Sequence, residues 1–222
     1  IVRLSGAGRT MVNTLTHQRI SIFPLGGALL FPGLQLPLHI FEPRYRAMVS
    51  DALARDRMIG MIQPREQFAE DGKPALFAMG CLGRIADVVA LDDGGFNIVL
   101  SGVALFRVVR ELDVNTLFRQ IEGELLPAMD DRPLSSVERA ALEGEAKRYA
   151  HWLGYSVDWD GIAGLDDQTF VNAIAQVCPF DSASKQALLE APDLAARAEL
   201  EMQLMRFSSS RRDPGEDRAT LQ

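Results

Sequence analysis

The side chains that could bind a metal or attack a substrate are few and widely separated in the sequence. The three histidines are His17, His39 and His151, and none has a second metal-ligating residue at the spacing that is typical of a zinc or iron site. Each is therefore interpreted as a structural or surface residue. The two cysteines, Cys81 and Cys178, form no C-x-x-C motif and lie in apolar contexts, which favours two reduced, buried thiols over a disulfide. We expect neither a metal nor a cofactor.

The sequence also offers no clear pairing of a nucleophile with a base. Ser184 and Lys185 are adjacent in a segment with helical character, so their side chains point in different directions and make a poor catalytic dyad. Lys185 is interpreted instead as a solvated helix residue. Cys178 and His151 could meet as nucleophile and base, but the sequence offers no third group to orient them. We therefore predict no catalytic residue and no enzymatic activity.

Phosphate chemistry is not expected either. The sequence contains no G-x-x-x-x-G-K-[ST] motif, and its glycine pairs at 26–27 and 94–95 lack the lysine and the hydroxyl that a nucleotide-binding loop needs. Three aspartate pairs occur at a turn, at a linker and at a helix start, where aspartate is expected for backbone reasons. We expect no ATP hydrolysis by this chain.

The composition is that of an ordinary globular protein with an acidic balance. Its 222 residues are 47% hydrophobic, which is enough for a substantial core. A formal net charge of −7 opposes binding to nucleic acid or to an anionic membrane, because phosphate affinity depends largely on basic charge. No segment approaches the ~18 apolar residues of a membrane span, and residues 1–19 contain no signal-like apolar run. We expect a cytoplasmic protein.

Short strand patterns dominate the part of the chain before residue 127. Apolar residues alternate with polar residues or proline over 35–40, which predicts a strand with one buried face; the apolar ones are Leu36, Leu38 and Ile40. Pro37 cannot donate a hydrogen bond, so it predicts that this strand is an edge, and Pro43 then suits the first turn of an amphipathic helix. We expect six or so short strands and one inserted helix to form a closed or nearly closed barrel. The later strands are predicted at 58–62, 76–91, 96–100, 105–112 and 118–125, with a hairpin turn at 92–95.

From residue 132 onward the pattern is helical. Ser135 and Glu138 fit a capping box, and the apolar side of the helix that follows ends at Gly154. Three further helices follow, so the chain is predicted to end in a small helical bundle. The aspartates that can cap these helices are Asp166, Asp181 and Asp193.

Several motifs together resemble one known family. The Phe-Pro-Leu at 23–25, the Phe-Pro-Gly at 31–33 and the run Pro-Leu-His-Ile-Phe-Glu-Pro-Arg-Tyr at 37–45 closely resemble the opening of the LON substrate-binding domain, the amino-terminal domain of Lon proteases. The resemblance covers residues 20–205, nearly the whole chain. Its later motifs are Gly-Cys-Leu-Gly-Arg-Ile at 80–85, Gly-Val-Ala-Leu-Phe-Arg at 102–107 and, more weakly, Lys-Gln-Ala-Leu-Leu-Glu at 185–190.

The resemblance implies a PUA-like barrel for the first part of the chain. We therefore predict an α+β protein with a PUA-like β-barrel lobe that carries an inserted helix, followed by a carboxy-terminal α-helical bundle lobe. The predicted boundaries are a disordered leader at 1–17, the barrel lobe at 18–126, the helical lobe at 132–207 and a disordered tail at 208–222.

The same resemblance implies a function. It predicts a non-catalytic protein that recognises unfolded or degradation-prone polypeptides, as the corresponding domain does for Lon proteases. We expect the ATPase and protease domains to be missing, so that a protease or chaperone is a further partner. The alternatives are an RNA-binding PUA-like module, and a small-molecule-binding or hydrolytic protein that uses the groove between the lobes. The acidic balance opposes the first alternative, and the missing nucleophile opposes the second.

Three apolar residues on connections are the candidates for polypeptide binding. Phe31 and Leu34 lie on a connection between strands, where chains usually turn polar, and Phe68 is the one large apolar residue of a charged loop at 65–74. Phe31 and Leu34 can either fold back to plug the end of the barrel or form an exposed apolar patch that binds extended polypeptide, and Phe68 has the same two alternatives. The exposed patch is the hypothesis that assigns these residues to recognition.

Overall fold

A computed structural model describes residues 17–66, 73–128 and 132–211. We call residues 17–128 the sheet part and residues 132–211 the helical part. In chain order the elements are β1 (His17–Pro24), β2 (Gln35–Ile40), α1 (Pro43–Leu53), β3 (Met58–Pro64), β4 (Leu76–Ala90), β5 (Phe96–Leu112), β6 (Gln120–Leu125), α2 (Ser136–Leu153), α3 (Trp159–Ala163), α4 (Asp167–Val177), α5 (Ser182–Leu189) and α6 (Leu194–Arg211).

The strands form one mixed sheet in the order β2-β5-β4-β3-β1-β6, and β6 also pairs with β5. Strands β1 and β3 are parallel, whereas the other pairings are antiparallel. The long strand β5 therefore has three neighbours, because β2 pairs with its first half and β6 with its second half. A mixed sheet with one inserted helix, followed by helices only, is the α+β arrangement that the sequence predicts.

Strand β2 lies at the end of the strand order, which confirms that Pro37 belongs to an edge strand. An edge tolerates proline because the missing N–H leaves no neighbouring acceptor without a donor. This edge is partly covered by the helical part. The Gln176 side chain of α4 donates a hydrogen bond from Nε2 to the carbonyl oxygen of Gln35 at 2.7 Å.

Strand β5 corrects a predicted boundary, because it runs without a break through the residues between the two predicted strands. Gly102 lies in this stretch, and a Cβ atom there would collide with the carbonyl group of Phe31. The connection between β1 and β2 crosses β5 at this point. Gly33 donates its N–H to the Gly102 carbonyl at 3.0 Å, and Gly102 donates to the Leu34 carbonyl at 2.8 Å. The glycine therefore marks the close approach of another backbone, not the end of a strand.

The predicted hairpin and helix caps are confirmed. Gly94, with φ of 80°, lies in the turn between β4 and β5. Ser135 and Glu138 make both hydrogen bonds of a capping box at the start of α2, and Gly154 ends that helix in the left-handed region. The three predicted aspartate caps each accept a backbone N–H, and they are Asp166, Asp181 and Asp193.

Two features of the helical part differ from the predicted elements. The short helix α3 was not predicted, since Gly161 in its middle has a low helix propensity. Helix α6 continues to Arg211, beyond the predicted end of the bundle at residue 207. The expected leader, linker and tail lie mostly outside the described residues.

Lys185 is buried, which corrects its interpretation as a solvated residue. The residue is 6% exposed, and its Nζ donates to the carbonyl oxygens of Gly27 at 2.8 Å and Gln176 at 3.2 Å. Burial lowers the pKa of the Lys185 ammonium. Because Gly27 follows β1 in the sheet part, the ammonium group joins α5 to the sheet part.

Buried amides complete the contact between the two parts. Gln63 of β3 donates from Nε2 to the Ser182 carbonyl and to Oε1 of Gln186, both at 3.2 Å. Gln186 in turn donates to the carbonyl of Met79 at 3.2 Å. An apolar cluster that combines Leu29 with many helical residues fills the remaining space. None of the described helices is both long and apolar enough to cross a membrane.

Candidate polypeptide-binding pocket

The connection between β1 and β2 carries two of the three candidate residues, and it packs against the helices. Phe31 is 1% exposed and belongs to the apolar cluster between the two parts. The guanidinium carbon of Arg197 lies 4.9 Å from the centroid of the Phe31 ring. Leu34 is half-buried against the same cluster. Of the two alternatives for Phe31, the structure shows the buried one, and Phe68 lies outside the described residues.

A groove of about 170 Å³ lies between the two parts, and Arg197 and Asn172 contribute to its lining. Arg197 donates from Nη1 to Oδ1 of Asn172 at 2.8 Å and from Nε to the Leu188 carbonyl at 2.9 Å. Among the described residues that line this groove there is no serine, cysteine, histidine or carboxylate. The described lining supplies neither a nucleophile nor a general base for the hydrolytic alternative.

The histidines and cysteines are not brought together into a site. His39 places Nδ1 2.8 Å from Oδ1 of Asn97, and His17 places Nδ1 3.5 Å from a Glu122 carboxylate oxygen. In the part of the chain that the structure describes, no group of three or more histidine, cysteine or acidic side chains could hold a metal ion. Burial raises the pKa of the Cys178 thiol to about 12, so at neutral pH it stays protonated and is a poor nucleophile.

A larger pocket of about 280 Å³ opens on the helical part, and we call it the apolar pocket. Its lining is almost entirely apolar and comes from α2, α3, α4 and α6 and from the segments that join α2 to α3, α3 to α4 and α4 to α5. For comparison, a cavity of about 150 Å³ is enough to hold a benzene ring. The apolar pocket therefore has room for one large aromatic side chain or for two smaller apolar ones. Its walls include Tyr149, Leu153, Trp159, Phe170, Ile174 and Met205.

The pocket exists because α2 stops early. Gly154 ends α2 with a left-handed residue, so the chain turns back across the helix end before α3 begins. Asp158 then caps the short helix α3, which places Trp159 on the wall of the pocket.

A network around Arg139 fixes the start of α4. The guanidinium group forms an ion pair with Asp167 and donates to the Leu165 carbonyl at 2.9 Å. Its central carbon also lies 4.9 Å from the centroid of the Phe170 ring, which forms part of the pocket wall. Because both partners of this ion pair are largely buried, the geometry of the wall is held more firmly than a surface ion pair would hold it.

Two apolar side chains at the rim of the pocket remain accessible to solvent. Tyr155 is 58% exposed and Val177 is 72% exposed, although both contribute to the pocket lining. The floor, in contrast, is buried, with Tyr149 at 4% and Met205 at 0%. A buried floor with an open apolar rim suits the side chain of a partner polypeptide, since apolar surface on both molecules would leave water.

Sequence reasoning missed this pocket. The signal was present, because residues 155–165 carry large apolar side chains at Tyr155, Val157, Trp159, Ile162 and Leu165. Two glycines and three polar residues interrupt that stretch, so its pattern fits neither a helix nor a strand. Apolar residues in such a connection must cover a neighbouring element, and here they form one wall of the pocket.

Comparison with known proteins shows what this fold is similar to. The family model described as the ATP-dependent protease La (LON) substrate-binding domain matches residues 19–206. Lon protease 2 of Myxococcus xanthus is 28% identical over 197 residues, which are 85% of this chain and 23% of that protein. Lon protease 2 of Sorangium cellulosum is 28% identical over 190 residues, which are 82% of this chain and 24% of that protein.

Solved structures agree in fold. The crystal structure of a Lon N-terminal domain protein from Xanthomonas campestris superposes with a TM-score of 0.62 at 23% identity, covering 86% of this chain and 98% of that one. The N-terminal domain of the Mycobacterium avium complex Lon protease gives a TM-score of 0.61 at 16% identity, covering 85% of this chain and 98% of that one.

The chain spans about a quarter of the length of the Lon proteases that it matches. The family model begins at residue 19, within β1, and covers the rest of the sheet part and most of the helical part. The chain belongs to the LON substrate-binding domain family.

Proposed function

We propose that this protein recognises unfolded or degradation-prone polypeptides by binding their apolar side chains in the apolar pocket. The observation that carries the proposal is an open apolar pocket of about 280 Å³ in a domain whose family is described as substrate-binding. Recognition of this kind needs no catalytic group and no nucleotide. The partners are unfolded chains, together with a protease or chaperone that acts on what is bound.

An inference about the fold and one about cellular location accompany this function. We infer that the sheet closes into a PUA-like barrel, which the pairing of β6 with both β1 and β5 supports, and that the helices after β6 form a bundle. We also infer a cytoplasmic location. The free thiols of Cys81 and Cys178 support that location, because exported proteins more often carry disulfides.

The proposal favours the pocket over the open edge of β2. Edge strands can add an extended peptide, but Pro37 lacks the N–H that an added strand would need, and Gln176 already donates to the Gln35 carbonyl. Phe41 is exposed near the end of this strand, yet one isolated aromatic side chain is common on protein surfaces. The apolar pocket is concave and can remove most of a bound side chain from water.

The double substitution Tyr155→Ser and Val177→Ser is expected to weaken binding of an unfolded protein about tenfold. A suitable probe is a basic protein kept unfolded by reduction and alkylation of its cysteines, with its affinity measured by fluorescence anisotropy. Both side chains are exposed, so the melting temperature should change little.

Val137→Ser is the matched control for this experiment. Val137 is 78% exposed on α2 and does not line the pocket, so its loss should leave the affinity unchanged. An affinity that is equal in the double variant and the wild-type protein would assign recognition to another surface. If the wild-type protein binds no unfolded chain at all, the proposed function is wrong.

A further inference from the structure

The rim of the apolar pocket is acidic. Residues 154–168, which run from the end of α2 into α4, contain four aspartates and no lysine, arginine or histidine. Asp158 and Asp160 flank Trp159, a wall residue of the pocket, and both are exposed. Asp160 makes no hydrogen bond or ion pair within the described part of the chain.

Two basic side chains beside the pocket are paired with carboxylates, one of which, Asp167, belongs to the four aspartates of the rim. Lys147 forms an ion pair with Glu143 at 2.5 Å, and Arg139 forms one with Asp167. Asp158 accepts a hydrogen bond from the backbone N–H of Gly161, and Asp166 accepts from the backbone N–H and the hydroxyl of Thr169. Those hydrogen bonds lower the pKa of Asp166, so it is ionised at neutral pH. Asp158, Asp160 and Asp166 therefore keep a negative charge, because none of the three forms an ion pair with a basic side chain among the described residues.

Trp159 adds a second feature that attracts cations. The ammonium nitrogen of Lys147 lies 5.5 Å from the centroid of the Trp159 ring, within the range of a cation–π contact. The ring thus presents a face to a positive charge at the edge of an apolar cavity. Lys147 already occupies that face of the ring, so a cation on a bound polypeptide would meet the carboxylates of Asp158 and Asp160 instead.

We infer that the apolar pocket selects polypeptide segments in which a large apolar residue is flanked by lysine or arginine. The inference rests on the proposed function and adds the chemical class of the segment. The apolar side chain fills the pocket, and the flanking cations lie over the acidic rim. Segments with flanking aspartate or glutamate are rejected, because like charges face each other across the rim.

Three labelled peptides of equal length test this selection, each with a central Phe-Leu pair and with flanks of lysine, serine or glutamate. The lysine-flanked peptide should bind about tenfold more tightly than the glutamate-flanked peptide, with the serine-flanked peptide between them. Raising the salt concentration from 0.05 to 0.5 M should narrow this difference, because it shortens the screening length to ~4 Å.

Asp160→Lys is the variant that tests the rim, and it should reduce the preference for lysine flanks by at least half. Asp92→Lys, on the exposed hairpin between β4 and β5, makes the same change in net charge and should leave the preference intact. Equal affinity for all three peptides, or tighter binding of the glutamate-flanked one, would overturn the charge selection while leaving polypeptide recognition in place. No binding of any of the three peptides would overturn both.

Discussion

Replacing Phe31 by alanine is expected to lower the free energy of unfolding by about 3–5 kcal/mol. The ring is 1% exposed, belongs to the apolar cluster between the sheet part and the helical part, and lies under the Arg197 guanidinium. Its removal leaves a cavity that rigid neighbours on both sides cannot fill. For a chain of this length the melting temperature should fall by about 6–20 °C.

Phe41→Ala is the control, since Phe41 is the same residue type in the same stretch of chain and is 63% exposed. Its replacement should change stability by no more than about 0.5 kcal/mol. Thermal unfolding of the two variants therefore separates a core residue from a surface residue. A Phe31→Ala protein that melts like the wild type would show that the connection between β1 and β2 is exposed at Phe31.

Replacing Glu201 by glutamine is expected to stabilise the protein at neutral pH and to have little effect near pH 4. Glu201 is 0% exposed, and neither carboxyl oxygen has a hydrogen-bond partner among the described residues. Burial raises the pKa of this carboxyl well above its ordinary value, and the Arg197 charge and the nearby Ala175 backbone N–H oppose that shift only in part. The folded protein therefore holds the Glu201 proton to a higher pH than the unfolded chain does.

The direction of the pH effect follows from that shift. Below the ordinary pKa of a glutamic acid, the folded and unfolded states are both protonated, so the titration of the carboxyl does not change stability. Above it, the unfolded chain releases the proton and the folded protein does not, so stability falls by about 1.4 kcal/mol per pH unit until the folded pKa is reached. Glutamine cannot titrate, so this fall should disappear from the variant.

Denaturant unfolding of the wild type and the Glu201→Gln variant at pH 4, 5, 6 and 7 measures this difference. The gain in stability should be near zero at the lowest pH and grow as the pH rises. Glu199→Gln removes a carboxyl from the exposed side of the same helix and controls for the change in net charge. A constant difference between wild type and Glu201→Gln at every pH would show that Glu201 does not stay protonated in the folded protein.

Much of the secondary structure could be predicted from local sequence, because caps and turns depend on neighbours in the chain. The capping box at Ser135 and Glu138 and the glycine that ends α2 are examples. The edge position of Pro37 was predictable for a similar reason, since a missing N–H restricts a residue wherever the fold places it.

Long-range contacts could not be predicted in the same way. Phe31 is apolar and Lys185 is charged, yet both are buried, and the burial of each depends on partners far along the chain. Lys185 is buried because Gly27, 158 positions away, offers it a carbonyl oxygen. Phe31 is buried because the helical part follows the sheet part and packs on the connection after β1.

The pocket was missed for a third reason. Its walls come from four helices and three connecting segments, so no single stretch of sequence contains its pattern. The sequence of residues 155–165 does show apolar side chains that must be buried against another element. Which helices they would face, and that space would remain between them, depends on packing.

The emission of Trp159 tests the central claim most directly, because this residue lines the pocket and the chain has only one other tryptophan, Trp152. In a Trp152→Phe variant, titration with an unfolded polypeptide that lacks tryptophan should shift the Trp159 emission to shorter wavelength as water leaves the pocket. The midpoint should equal the dissociation constant from anisotropy. Binding that leaves the Trp159 emission unchanged would contradict the assignment of recognition to the apolar pocket.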